Sequence, residues 1–304
     1  VVITKILDGP LIRSQALARA FVERFRAIET ERYAGLDWRG WIDRFSELMQ
    51  WDVDLAEAGE LGLHESLRGL YPDMHREFAT FMRSEYPRWL RDEEGDRPPL
   101  SVDVFGEFVL PVLSRDRKVI FVIIDCLRLD QWRVLEPLLA SWFEVETSHY
   151  YSILPTATPY ARNALFSGLF PGEIAARHPD WWGERDDEAL NAHEKDLLVA
   201  QLAALQHPAP VRYQKLTTAA DSDDLERHLP AAIAGDGVHA FVFNFVDMLT
   251  HGRSESMILF EVARDEMALR ALTRQWFERS ALFSLLKEAS RRNIAVVVTS
   301  DHGA

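Results

Sequence analysis

Apolar positions recur every three or four residues over roughly the first 90 residues, and then the period changes. Leu17, Phe21, Phe25 and Ile28 stand at spacings of 4, 4 and 3, one stripe of a helix predicted over Leu11–Thr30. Gly35-Leu36-Asp37 interrupts the pattern. Trp38, Trp41, Ile42, Phe45, Leu48 and Met49 then mark a second helix, with Asp37 as its N-cap. Leu61–Leu70 reads as a shorter helix. From Pro72, the residues Phe78, Phe81, Met82, Tyr86 and Trp89 carry a stripe on to Leu90, with Pro87 expected to kink or reset it. Residues 1–95 thus predict an antiparallel helical bundle of three-helix type. Trp38, Trp41, Trp51 and Trp89 are dense enough to raise a ligand box, but their spacing is that of a bundle interior, and core packing is the preferred reading.

Residues 96–117 read as a linker that follows a charged, proline-broken stretch, with the domain border near Pro98. Within it, Val104–Leu113 is apolar enough to pack on something. From Lys118 onward, continuous Val/Ile/Phe runs replace the helical stripe. Four strands are predicted, Val119–Ile124, Phe143–Thr147, His239–Val246 and Ile294–Thr299. Helices are predicted between them at Pro159–Leu169, Glu194–Leu205, Asp224–Ala234, Leu259–Phe277 and Ala281–Arg291. The fold class is therefore α/β over residues 118–304, a parallel-rich sheet with helices on both faces, preceded by the α-helical bundle. Ligands of such folds bind beyond the carboxyl ends of the strands.

Composition narrows the chemistry. The net charge of -14 argues against broad duplex binding, which needs a basic face. It leaves room for a small anionic substrate held by metal ions, because a dication inverts the local field. A single cysteine, Cys126, excludes an internal disulfide, and no apolar run approaches a membrane span, so a cytoplasmic protein without membrane insertion is expected. Neither end reads as a natural terminus, and the chain is expected to continue beyond both.

Each of three predicted strands delivers a carboxylate near its carboxyl end: Asp125 after the first, Asp247 after the third and Asp301 after the fourth. His251 and His302 add imidazoles. A lone Asp after a strand usually caps a helix, but three converging on one sheet edge form a candidate metal site. Carboxylate and imidazole donors suit zinc, manganese or iron more than calcium. Thr158 precedes Pro159 at a helix start, where it is expected as the N-cap at the positive end of the helix dipole. Alone it would only cap; beside metal ions its oxygen becomes a candidate nucleophile. Cys126 reads as core. Among the remaining histidines only His149, near the Thr158 loop, stands where a site would form. Pro179–Glu188 reads as an exposed insertion over the site or a disordered acidic loop.

Together these segments resemble the PglZ domain of the alkaline phosphatase superfamily. The resemblance rests on Asp125-x-x-Arg128-x-Asp130-x-Trp132, on Leu154-Pro-Thr-Ala-Thr-Pro-Tyr-Ala-Arg162-Asn163, on Asn244-Phe-Val-Asp-Met-Leu-Thr-His251 and on Asp301-His302-Gly303. The preceding bundle is similar to that of PorX-type response regulators, whose receiver domain would lie before Val1.

The resemblance implies two zinc ions, with manganese as a substitute. One would lie on Asp125, Thr158, Asp301 and His302; the other on Asp247, His251 and a histidine beyond Ala304. It implies a Thr158 nucleophile (rather than Thr156). Arg162, one helical turn after Thr158, and Asn163 beside it are candidate substrate-binding residues, with surface salt bridging an equal reading for Arg162 and with Arg128 and Arg253 as lesser candidates. The implied activity is hydrolysis of cyclic or linear oligonucleotides by a phosphodiesterase under two-component control, linked to type IX secretion. Phosphomonoesterase activity is one alternative. Another is a regulatory module that binds a sigma factor or secretion-system partner through a structural metal site. A homodimer on activation is expected.

Overall fold

The computed structural model describes residues 10–303, apart from 32, 34, 92–94 and 183–190. The chain divides into two compact units, Val1–Pro98 and Pro99–Ala304. In the first unit, three long helices, α1 (Pro10–Glu31), α2 (Trp38–Glu57) and α4 (Tyr71–Trp89), accompany the short α3 (Leu61–Arg68). Asp37 does cap α2, its carboxylate accepting from the Gly40 amide at 2.8 Å. Pro87 lies within α4, whose helical run continues to Trp89. Phe21, Ile28, Trp41, Leu48, Leu55, Leu67 and Met74 form one buried cluster. Trp41 stacks on Tyr33 and meets Phe78 edge-on, so its ring is core rather than a ligand platform.

The second unit opens with the stretch read above as a linker, and its apolar side chains explain why it is no free connector. Val104, Phe105, Val109 and Leu113 are buried with the sheet residues Val119, Phe121 and Ile123. These four sit on a π-helical turn (Phe105–Val109), on α5 (Leu110–Asp116) and just before them. Among the described residues the sheet has four strands, β1 (Lys118–Ile124), β2 (Val211–Leu216), β3 (Gly237–Phe243) and β4 (Val296–Thr299), in the order β2-β3-β1-β4. All pairings are parallel. Alternate β1 residues Val119, Phe121 and Ile123 face the cluster that holds Leu165, Phe166 and Leu197, while Ile120, Val122 and Ile124 point the other way and are equally buried. Both faces are thus covered, as the uninterrupted apolar run of β1 requires.

Two strand expectations are corrected, and one strand was not foreseen. Phe143–Thr147 forms no strand; its glutamates are exposed, and the neighbouring backbone pairs only through one bridge, Leu100 to Tyr151. The place of that strand is taken by β2, whose sequence VRYQKL carries too much polarity to read as a buried run. And β3 stops at Phe243, so Asp247 lies in the first turn of α11 (Phe245–Glu255), not at a strand end.

The remaining helices are α6 (Leu129–Leu135), α7 (Thr158–Ser167), α8 (Pro171–Arg177), α9 (Glu194–Ala204), α10 (Ala219–Ala232), α12 (Met257–Val262), α13 (Glu266–Arg279) and α14 (Ala281–Arg291). The helix predicted over Leu259–Phe277 is split into α12 and α13, because Asp265 caps a new start by accepting from the Ala268 amide. No helix among the described residues is long and apolar enough to cross a membrane. The acidic part of the Pro179–Glu188 insertion lies outside the described residues, while Trp181 and Trp182 pack against the core.

Candidate metal centre

Sheet register brings the first two carboxylates together. β1 and β4 pair as far as Ile123 opposite Thr299, so Asp125 and Asp301 each stand two residues beyond the same rung. The Asp125 amide still donates to the Phe243 carbonyl at 2.9 Å, which holds the strand end in place. Cys126 then adopts a left-handed conformation (φ 64) that few non-glycine residues take. That turn aims its amide at Asp301 Oδ1, 3.2 Å away. The His302 amide donates to the same oxygen at 2.9 Å. On the other side, Ser152 Oγ donates to the Asp301 carbonyl at 2.9 Å and the Tyr150 hydroxyl donates to the Ser300 carbonyl. The Asp301-His302 loop is therefore clamped from two segments.

Asp125, Asp301 and His302 offer ligand atoms that all lie within 4.8 Å of one another. Thr158 joins them: its Oγ1 is 2.9 Å from His302 Nε2 and 3.5 Å from Asp125 Oδ1. Its place on the helix differs from expectation. Ala157 is the N-cap and Thr158 the first helical residue, so its hydroxyl turns toward the cluster instead of capping. Thr156 is exposed, two residues outside the helix. At the far end of α7, Gly168 closes the helix in the left-handed region (φ 65), with its amide on the Ala164 carbonyl.

The cluster's chemistry fits a cation. Asp301 is fully buried, and its Oδ2 accepts no hydrogen bond among the described residues. Burial first, and then the neighbouring Asp125 charge, hold the Asp301 carboxyl well above the usual carboxylate range. Two carboxylates and an imidazole with an unsatisfied buried oxygen are a donor set that a divalent ion would complete.

Asp247 and His251 form their own pair one helical turn apart, with His251 Nε2 3.2 Å from Asp247 Oδ1. His251 is 71% exposed. The Asp247 carboxyl is raised by burial and then by Asp125, so it shares the field of the first cluster. Cys126 is inert: burial, then Asp247 and Asp125, push its thiol up to about 12. A cavity of about 300 Å³ lined by Asp301, His302, Arg128, Trp132 and His149 adjoins the cluster.

The candidate arginines are all engaged in ion pairs, Arg128 among them although it lines this cavity. Arg162 is 1% exposed, one turn after Thr158. Its Nη1 meets Asp125 Oδ2 at 2.5 Å and its Nε meets Glu194 Oε1 at 2.5 Å. Burial opposes its charge, but Glu194, Asp125 and Asp301 outweigh burial and hold the guanidinium protonated. Asn163, fully buried, donates to the Pro159 carbonyl at 2.8 Å. Arg128 pairs with Asp130 at 2.7 Å and with Glu266, which Arg253 also reaches at 3.1 Å. Arg270 joins Asp130 from α13 at 3.0 Å. Glu194, Tyr213 and Arg270 had no signal in the sequence, since nothing in their local pattern announces a buried ionic partner.

A parallel α/β sheet with an Asp, Asp, His cluster and a helix-borne threonine at its carboxyl edge has the outline of an alkaline phosphatase-like hydrolase. The chain belongs to the PglZ family: residues 104–304 match the BREX system PglZ alkaline phosphatase-like domain. Residues 11–90 match the PorX response regulator linker domain, and together the two matches describe a hydrolase-like effector in a PorX-type setting. No curated protein matches the chain.

Proposed function

We propose that this protein is a zinc-dependent phosphodiesterase that cleaves nucleotide or oligonucleotide diesters through Thr158. The observation that carries the reading is the Thr158 hydroxyl 2.9 Å from His302 Nε2 and 3.5 Å from Asp125, beside the buried Asp301. Asp125, Asp301, His302 and Thr158 would hold one ion, and Asp247 with His251 would contribute to a second. Bound divalent ions supply Lewis-acid polarisation of a phosphoryl oxygen and acidify a coordinated hydroxyl.

The chain's own residues supply orientation. α7 presents Thr158 at its positive end, where an anionic phosphoryl group is favoured. Thr158 Oγ1 gives up its proton to solvent and bonds to phosphorus as the bond to the leaving oxygen breaks, and that oxygen takes up a proton from solvent. Water then cleaves the threonine ester and restores the hydroxyl. Arg162, buried between two carboxylates, orients Asp125 rather than gripping substrate. The PorX-linker match supports placing this hydrolase under a regulatory module.

The test is hydrolysis of a diester, a monoester and a linear oligonucleotide by zinc-loaded wild-type protein and by Thr158→Ala. The expected result is diester cleavage that falls at least about 10³-fold in the variant. Undiminished turnover in a folded Thr158→Ala protein overturns the nucleophile, and cleavage of the monoester alone overturns the diester assignment.

A further inference from the structure

Four polar groups stand in series behind the metal centre. Tyr213 on β2 donates its hydroxyl to Glu194 Oε2. Glu194, 1% exposed at the start of α9, also accepts from Asn191 Nδ2 at 2.9 Å and from Arg162 Nε at 2.5 Å. Arg162 reaches on to Asp125 Oδ2 at 2.5 Å and stands 3.9 Å from Asp301 Oδ2. The chain of contacts runs from β2 to the mouth of β1, and its members Glu194, Arg162 and Asp125 are buried.

Such an arrangement is costly to bury. Each ion loses its hydration, and a buried pair seldom outperforms apolar packing of the same volume. Packing therefore gives no reason for a glutamate at position 194. Its geometry relative to the cluster does. Arg162 is a competitor for the carboxylates that would hold a cation: it already occupies one oxygen of Asp125 and faces the unsatisfied oxygen of Asp301. Glu194 sits on the opposite side of the same guanidinium and draws its charge away from the cluster. Asp125 is left with Oδ2 tied to Arg162 and Oδ1 turned toward Thr158 and His302. One oxygen is presented, in one orientation.

We infer that Glu194 is a positioning residue that sets the cation affinity of the Asp125–Asp301–His302 cluster by countering Arg162, with Tyr213 and Asn191 fixing Glu194 in turn. This inference rests on the metal-centre reading above. Neutralising Glu194 leaves the full guanidinium charge against Asp125 and Asp301, so a dication must compete with it. Partners one shell removed from a metal ligand typically change affinity by about 10- to 100-fold.

The experiment is Zn²⁺ affinity of the whole chain, measured by competition with a chromogenic chelator, beside far-ultraviolet circular dichroism of the metal-free proteins. Glu194→Gln, an isosteric change that keeps the volume, is expected to weaken Zn²⁺ binding by at least about 10-fold. Tyr213→Phe is expected to weaken it by less, a graded order that a purely structural role does not produce. Wild-type affinity in a folded Glu194→Gln protein overturns the inference. Should that variant not fold, wild-type affinity in Tyr213→Phe overturns it instead. A wild-type chain that binds no Zn²⁺ removes the metal-centre reading and this inference with it, a result distinct from binding that is unaffected by the substitutions.

Discussion

The Thr158 hydroxyl lies 2.9 Å from His302 Nε2 although 144 positions separate the two residues. One comes from the first turn of α7 and the other from the loop after β4, so the contact depends on the sheet edge being complete. Replacing His302 with Ala removes the imidazole and leaves both carboxylates. Zn²⁺ affinity is expected to fall by more than about 100-fold, exceeding the effect of losing an outer partner. Equilibrium dialysis with zinc determination reads the loss, and unaltered zinc content would remove His302 from the centre.

Asp301 tells of a conflict between stability and function. Its carboxyl is buried beside Asp125 and held well above the usual range, so in the metal-free fold its ionisation is unfavourable. An acid whose folded value is raised contributes stability at low pH, and that contribution is lost as pH rises through the folded value. Asp301→Asn keeps the Oδ1 acceptor for the Cys126 and His302 amides while removing the charge. The metal-free variant is expected to melt a few degrees above metal-free wild type, corresponding to about 1 kcal/mol at neutral pH. It should also lack the rise in melting temperature that the metal-centre reading expects of the wild type with Zn²⁺. Calorimetry with and without the ion measures both.

A second pH dependence arises far from the cluster. His239 is fully buried on β3, with its ring nitrogens 3.0 Å from the Ala232 carbonyl and 3.2 Å from the Gly235 carbonyl. Burial lowers its pKa, and the two carbonyls only partly oppose that effect. The unfolded chain then takes up the proton first as pH falls below about 6.5. Stability is present in full above that value and is lost as pH falls from there toward the lower folded value. Urea denaturation at pH 7.5, 6.5 and 5.5 should show a steeper loss for wild type than for His239→Gln. Equal slopes would mean that the imidazole is protonated alike in both states.

Much of this architecture was legible because burial on both faces writes itself into sequence. The run Val119–Ile124 has no polar break, and its carboxylate terminus at Asp125 follows directly. Asp301 was readable because Val296–Thr299 is likewise an unbroken β-branched run, although this edge strand is only half-buried. Asp247 was placed at a strand end because Val246 extends the apolar run, whereas the backbone has already turned into α11 at Phe245. β2 escaped notice because an edge strand with Arg212, Gln214 and Lys215 need not look apolar. Arg162 was visible by its spacing from Thr158, but the direction of its side chain was not. What turns it inward is Glu194, 32 positions away, and no local period reports a partner across the fold.

The strand order carries a consequence for biosynthesis. β1 lies between β3 and β4, and only β4 brings Asp301 and His302. A nascent chain that has released β1 and α7 already exposes Asp125 and Thr158, yet it owns a single carboxylate of the pair and an unpaired edge on its most apolar strand. Until the segment beyond Val296 emerges and zips onto that edge, a passing ion meets no cluster to occupy. On the metal-centre reading, loading with an ion waits until β4 is in place. The same interval is when a molecule of this chain is most vulnerable to sticking to another through the open side of β1.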